Sequence, residues 1–414
     1  MKRILILLTI CLLLSCEREN INPEKNYKTL ITVEPKFWEL SYGACFYFVT
    51  DLDGKLLAFK QINSQGLNTL YIQSDKIPEK YNVHRLFISN DMEVRSLESF
   101  YNTSKNFFES YYDCEPYPDT TGDCSFHVTG PTYESYLISY PNGSFQSTVF
   151  DPNYLIDRTE TTNLYYEYNF LYAFLKKDQQ YYYKYFYDLI PNEVNTLEID
   201  PQTMSTNFNI KVLIAPESMF LLSQSEIQEV IIGGLCHEYP CNLYSEISVD
   251  SSIISIFAPP NSPGKYYKSR IFLKAGDNKE YIFQKKGNLP ETIPELDFDL
   301  SILSMDLDDI EITCTGTYDF ISGYYRVDNN SKNWYFYSDN PDMIKFPDIP
   351  SEITEIYPNI TGSTFFETAS LQSSISLNDY SDIENYGDFL TEFEWNRRIV
   401  DNSTGQKLRI NINF

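Results

Sequence analysis

The sequence predicts an all-β chain: tandem β-sandwich modules of immunoglobulin-like or transthyretin-like build, set behind an N-terminal tether. Three observations carry this. Tyrosine and phenylalanine are abundant, at 35 and 28 of 414 residues, and aromatic and β-branched side chains favour the pleated, half-buried surface of strands. Short apolar runs alternate with polar residues, and glycine and proline are scattered through short turns between them. A block of strands also recurs at a fixed offset, the mark of a duplicated module.

The chain opens with Met1-Lys2-Arg3, an eleven-residue, largely apolar run from Ile4 to Leu14, and Ser15-Cys16. That run is too short to span a bilayer, which takes about 20 apolar residues, and it has the layout of a secretory signal. Leu13-Leu14-Ser15-Cys16 resembles the lipobox of bacterial lipoproteins, with leucine at position 14 where a smaller residue is commoner. The resemblance implies removal of residues 1–15 and acylation of Cys16. Glu17-Arg18-Glu19-Asn20 follows, and an acidic stretch there resembles the export signal of Bacteroidota surface lipoproteins. The resemblance implies an outer-membrane lipoprotein facing the cell exterior, with the membrane as a partner through its lipid. Residues 16–26 read as the tether. Each buried methylene contributes about 0.8 kcal/mol, so several acyl chains together hold firmly.

From Cys16 onward the chain has 399 residues, and loss of Lys2 and Arg3 takes the net charge from −26 to −28. A field of that sign repels nucleic-acid phosphates and anionic headgroups, so nucleic acid is excluded as a partner class.

Tyr27 to Pro35 alternates as a strand. Ala44 to Val49 is a second strand, and Asp51-Leu52-Asp53-Gly54 before Leu56 is a hairpin turn, because glycine accepts the positive φ such a turn needs. The further oxygen ligands and distal glutamate of a calcium loop are missing. Asn68 to Ile72 and Tyr81 to Phe87 then reappear 127 residues later as Asn195 to Ile199 and Phe208 to Ile214, and the hairpin before them matches in the same register, with Asp51 falling on Asp178. A weaker third copy begins near Tyr267, behind the turn-rich stretch Ala258 to Gly264. These repeats divide the mature chain into modules at 27–163, with a long loop insertion, at 164–263, and at 264–414, the last read as one module or two small ones. At the end, Phe393 to Val400 leads through Asp401 to Gly405 into a strand alternating at Leu408, Ile410, Ile412 and Phe414, expected to close a terminal sandwich.

Each of the first two copies is followed by a close pair of cysteines, Cys114 with Cys124 and Cys236 with Cys241. Exported chains meet an oxidising compartment, so each pair is expected to form a local disulfide. Cys45 and Cys314 sit in apolar strand sequence, as buried thiols or as one long bridge. Cys236-His237-Glu238 has zinc-ligand residue types, but only three histidines occur in the chain and a site needs about four ligands. A disulfide-closed turn accounts for the stretch better.

The long segment from about Ser89 to Asn163 places Tyr111, Tyr112, Tyr117 and Phe126 around the first cysteine pair, with Asp113, Asp119 and Asp123 between them. Loops on rigid scaffolds often hold binding sites, and rings beside carboxylates suit sugars, so these four aromatics are the candidate ligand residues. No nucleophile elbow, phosphate-binding loop or dinucleotide fingerprint occurs. No cofactor or metal site is expected, and no residue is marked as catalytic. The functional expectation is a ligand-binding surface lipoprotein for a neutral glycan or an envelope protein. The alternative is an adhesin or fibre-anchor protein, with a glycoside hydrolase third.

Overall fold

The computed structural model describes residues 27–413 except for stretches at 34–42, 105–119, 149–154 and 392–403 and others of five residues or fewer. Nearly all of the ordered elements are strands, as the composition predicts. They form four units, each built on the same plan.

The first unit holds β1 (Tyr27–Val33), β2 (Gly43–Thr50), β3 (Leu56–Ile62), β4 (Asn68–Gln73), β5 (Tyr81–Ser89) and β6 (Arg95–Thr103). The second holds β7 (Thr120–Thr132), β8 (Ser135–Tyr140), β9 (Gly143–Thr148), β10 (Leu155–Tyr165), β11 (Phe170–Lys177), β12 (Gln180–Tyr187) and β13 (Val194–Glu198). The third holds β14 (Asn209–Ile214), β15 (Leu221–Ile232), β16 (Glu238–Leu243), β17 (Ser245–Ile247), β18 (Ile253–Ala258), β19 (Tyr266–Lys274) and β20 (Lys279–Gly287). The fourth holds β21 (Asp299–Asp306), β22 (Asp309–Thr315), β23 (Phe320–Val327), β24 (Lys332–Ser338), β25 (Leu371–Tyr380) and β26 (Gly405–Asn413), with short helices α1 (Ser351–Ile356) and α2 (Tyr386–Thr391).

In every unit two antiparallel strand pairs lie with their leading strands side by side. This gives the orders β3-β2-β5-β6, β9-β8-β11-β12, β16-β15-β19-β20 and β24-β23-β25-β26. A smaller sheet pairs with each: β1-β4, β10-β7-β13, β14-β18-β17 and β21-β22. The main sheets of the first, third and fourth units join edge to edge into one twelve-stranded sheet. β26 lies antiparallel to β20, and β24 lies parallel to β6.

The strand plan thus recurs from unit to unit, with a phase and boundaries that differ from those expected. The 127-residue offset lays the first hairpin of one unit, β2-β3, on the second hairpin of the next, β11-β12. Both hairpins carry the same alternation and a tight turn, and the sequence match registers those features rather than the hairpin's place in its unit. Gly54 has φ +95° in one turn, and Asp178 and Gln179 have φ +52° and +59° in the other. Asp51 is a turn residue, its Oδ1 accepting from the amides of Asp53 at 3.1 Å and Lys55 at 2.8 Å. Asn163 falls inside β10, paired with Asp123 of β7. Pro263 falls between β18 and β19, two strands of one unit. The last strand is interior to the large sheet, with β20 on one side and β25 on the other.

Burial explains why the units fuse. β2 is covered on both faces: Cys45, Tyr47 and Val49 pack into one core with Leu30, Ile31, Ile72 and Tyr81. Phe46 and Phe48 pack into another with Tyr101, Trp334, Phe336 and Phe365. A strand buried twice reads as a nearly continuous apolar run, which Ala44 to Val49 is. The second unit has its own core around Phe126, Val128, Ile138 and Leu171, and the opposite face of its main sheet stacks Phe174 on Tyr244 of the third unit at 3.9 Å.

Candidate functional site

Of the residues that the sequence nominates, Phe126 is overturned as a ligand contact. It is fully buried in the core of the second unit, edge-on to Tyr140 at 5.5 Å. It lies on β7 in a buried position of the strand's alternation, which a segment read as a loop does not reveal. Tyr111, Tyr112, Tyr117, Cys114, Cys236 and Cys16 lie outside the described residues.

Among the described residues there is no disulfide. Cys124 is a buried free thiol that accepts a hydrogen bond from Asn195 Nδ2 at 3.2 Å, and burial pushes its pKa up. Cys241 is buried on β16 opposite Glu229. Cys45 and Cys314 are not bridged to each other. Cys45 belongs to the core of the first unit, whereas Cys314 packs against the large shared core, its thiol pushed up to about 11 by burial.

The groove that the structure does provide lies across β23, β24, β25 and β26, on the face of the fourth unit turned away from the shared core. Strand alternation builds it. Ile321, Tyr325, Trp334, Phe336, Ile375, Leu377, Leu408 and Ile410 face the shared core. Their neighbours Ser322, Tyr324, Tyr335, Tyr337, Ser374, Ser376, Asn378, Lys407 and Arg409 line a groove of about 200 Å³, together with Phe320, Gly323 and Phe389. Cross-strand register arranges these into rows. One row runs Tyr337, Ser322, Ser376, Arg409 and, on β20, Glu280. The next runs Tyr335, Tyr324, Ser374 and Asn411.

The floor is therefore hydroxyl-rich and the walls are aromatic. Phe389 of α2 stacks on Phe320 at 4.1 Å and lies 5.7 Å from Tyr337. The Tyr386 hydroxyl donates to the Tyr337 carbonyl at 2.7 Å, holding that wall in place. Asn378 Nδ2 donates to Ser322 Oγ at 3.0 Å, fixing the amide with its nitrogen towards β23. Arg409 is ion-paired with Glu280, and the Arg326 guanidinium lies 5.2 Å from the Tyr324 ring centre. Gly323 supplies the close packing beneath, since a Cβ there would come within 2.3 Å of the Phe336 ring. None of the twelve lining residues is acidic, in a chain with 58 acidic and 32 basic residues.

Sequence reasoning did not find this groove. Its serines fall in an ordinary alternating strand, and its residues, from 320 to 409, come together only through the pairing of four strands. The available signal was the outward row of small polar residues, Ser374, Ser376 and Asn378, facing outward tyrosines.

A second, smaller pocket of about 110 Å³ lies where the first and fourth units meet, lined by Thr50, Asn82, His84 and Tyr101 on one side and Leu307, Lys345, Phe346 and Asp348 on the other. His84 stacks on Phe48 at 4.7 Å and is bonded to Ser99 Oγ through Nδ1 at 3.0 Å, and burial lowers its pKa to about 3. It is a neutral, structural imidazole. Among the described residues no group of histidine, cysteine and carboxylate side chains is placed to hold a metal ion.

No family model matches the chain, and no curated protein matches it. Among solved structures the chain is similar to the tip fimbrial protein Mfa3 from Porphyromonas gingivalis with C-terminal truncation, at 10% sequence identity and a TM-score of 0.14, over 69% of this chain and 97% of that one.

Proposed function

We propose that this chain is a lipoprotein, anchored through Cys16 in the outer membrane and facing outward, that holds a neutral glycan in the groove of β23–β26. The single observation that carries the ligand reading is the pairing of tyrosine walls with a serine and asparagine floor in a groove of about 200 Å³. Aromatic faces cover the apolar faces of sugar rings, while hydroxyl, amide and ammonium groups exchange hydrogen bonds with their hydroxyls. Such convergence of a few polar groups on an apolar concavity is what small-ligand sites share. The chain's negative field favours a neutral ligand over a polyanion. None of the described residues lining the groove is acidic, and the groove is read as a site that holds a sugar, without the paired carboxylates of a glycosidase among those residues.

The test is titration calorimetry of the purified chain against a panel of neutral oligosaccharides. Tyr324→Ala with Tyr335→Ala abolishes binding, and Tyr71→Ala, an exposed ring on β4, leaves it unchanged. Binding that survives the double variant removes the groove from the role. The anchor is tested separately: Cys16→Ser releases the protein from the membrane fraction and ends palmitate labelling.

The adhesin or fibre-anchor reading is favoured by a different observation. One sheet of twelve strands runs through three units, so a pull between them would be borne by backbone hydrogen bonds. An envelope protein is the corresponding partner.

A further inference from the structure

Among the described residues, strand β14 is an open edge. In the second unit the equivalent strand, β7, precedes the first hairpin and has a neighbour on each side, β10 antiparallel and β13 parallel. β14 has the same place in the third unit and pairs antiparallel with β18. Among the described residues nothing pairs on its other side. The segment after β20, which in the second unit supplies β13, here sends Leu289 and Ile293 into the same core as Leu213 of β14, and its Glu291 is ion-paired with Lys211 at 3.2 Å.

The edge is flat and apolar. Its register with β18 has no bulge. Ile210, Val212 and Ile214 alternate along one face and are 55%, 53% and 65% exposed. Natural edge strands avoid pairing by bulges, prolines, charges or short length. β14 uses only a lysine, and that lysine is held by Glu291 on the opposite face from the isoleucines.

From this edge we infer that β14 pairs antiparallel with β14 of a second copy of the chain, extending the small sheet of the third unit across a twofold axis. The strand suits itself. Centred on Val212, the pairing sets Ile210 against Ile214 and Val212 against Val212, with Lys211 opposite Leu213, so no like charges face each other directly. Asn209 to Ile214 contains no acidic residue in a chain of net charge −26, so the repulsion between copies is weakest here. The exposed Glu291 of each copy, 81% accessible, brings a carboxylate to the same edge as the other copy's Lys211. A twofold contact is also the commonest way for a single chain to close its interface.

The experiment is sedimentation velocity of the full mature chain in neutral detergent, with two variants on the strand. The expected result is a dimer at about 10 µM that becomes a monomer with Val212→Pro. It weakens about tenfold or more with Ile214→Lys, which changes only the exposed face and leaves the strand backbone intact. Val212→Cys is expected to give an intermolecular disulfide under mild oxidation, whereas Leu155→Cys, at an exposed position on β10, does not. A chain that stays monomeric to about 100 µM overturns the pairing. So does a dimer untouched by Ile214→Lys, or equal cross-linking by the two cysteine variants. None of these outcomes bears on the groove, whose ligand is read by calorimetry.

Discussion

The Trp334 indole N–H donates to the Ser99 hydroxyl at 3.0 Å, joining β24 of the fourth unit to β6 of the first. Ser99 Oγ also lies 3.0 Å from His84 Nδ1, and all three side chains are buried. One hydroxyl thus satisfies polar atoms from two units in a place water does not reach.

Ser99→Ala leaves both the indole N–H and the imidazole nitrogen unpaired. An unsatisfied buried polar group costs about 1–3 kcal/mol, so the variant is expected to lower the midpoint of urea unfolding without changing the slope. Ser99→Thr, which retains the hydroxyl, loses less. Equal midpoints for Ser99→Ala and the natural chain would show that the bond adds nothing to the joint.

Acid sensitivity has a named source in His84. Burial lowers its pKa from 6.5 to about 3, so between those values the unfolded chain binds a proton that the folded chain refuses. Its contribution is fully present above pH 6.5 and is lost as pH falls towards 3, at up to about 1.4 kcal/mol per pH unit. His84→Gln is expected to flatten that limb of the curve of unfolding free energy against pH. An unchanged slope between pH 6 and 4 sinks the assignment.

Asp319 acts in the opposite direction. Burial raises its carboxyl to about 6, against the Tyr380 amide that donates to it at 2.7 Å and with Asp379 adding to the rise. The folded chain therefore holds a proton there that the unfolded chain has released, and stability falls as pH rises from about 4 to about 6. Asp319→Asn keeps an acceptor for the amide and removes the charge. Because the group is half-exposed, solvent screening reduces the expected gain at pH 7 to roughly 1 kcal/mol. Calorimetric melting at pH 7 reads it, and a loss of stability in place of a gain refutes the account.

Gly323→Ala tests the packing under the groove. The added methyl meets the Phe336 ring and the Ser374 carbonyl, and overpacking of a dense core costs about 1–3 kcal/mol. The melting temperature is expected to drop and to recover partly when Phe336→Leu is added. If the two changes are simply additive, the clash is not where the structure puts it.

Legibility in the sequence followed the range of the interactions. Alternation and tight turns are local, so the β class and hairpins such as Val49-Thr50-Asp51 to Leu56 were readable. Joints are not local. The pairing of Trp334 with Leu97 on parallel strands leaves no pattern in either segment. For the same reason, Ser376 beside Arg409 cannot be recognised as part of a groove. The repeat was visible but misphased because Phe46-Tyr47-Phe48 and Ala173-Phe174-Leu175 are alike in what strands require and differ in what places a strand within its unit. Phe126 looks the same in sequence whether its strand turns the ring inward or outward, and only the pairing of β7 shows it inward.

The location of β26 between β20 and β25 constrains the order of events in synthesis. β20 ends at Gly287 and β26 begins at Gly405, so a chain emerging from its N-terminus makes the two flanking strands before the one that joins them. At about 5–20 residues per second the wait is roughly ten seconds. During that time β20 presents a row of unpaired amides and carbonyls to any neighbouring polypeptide, and β25, which ends at Tyr380, joins it for the last few seconds. A chain that stops short of Gly405 therefore carries two unpaired strand edges, one on β20 and one on β25.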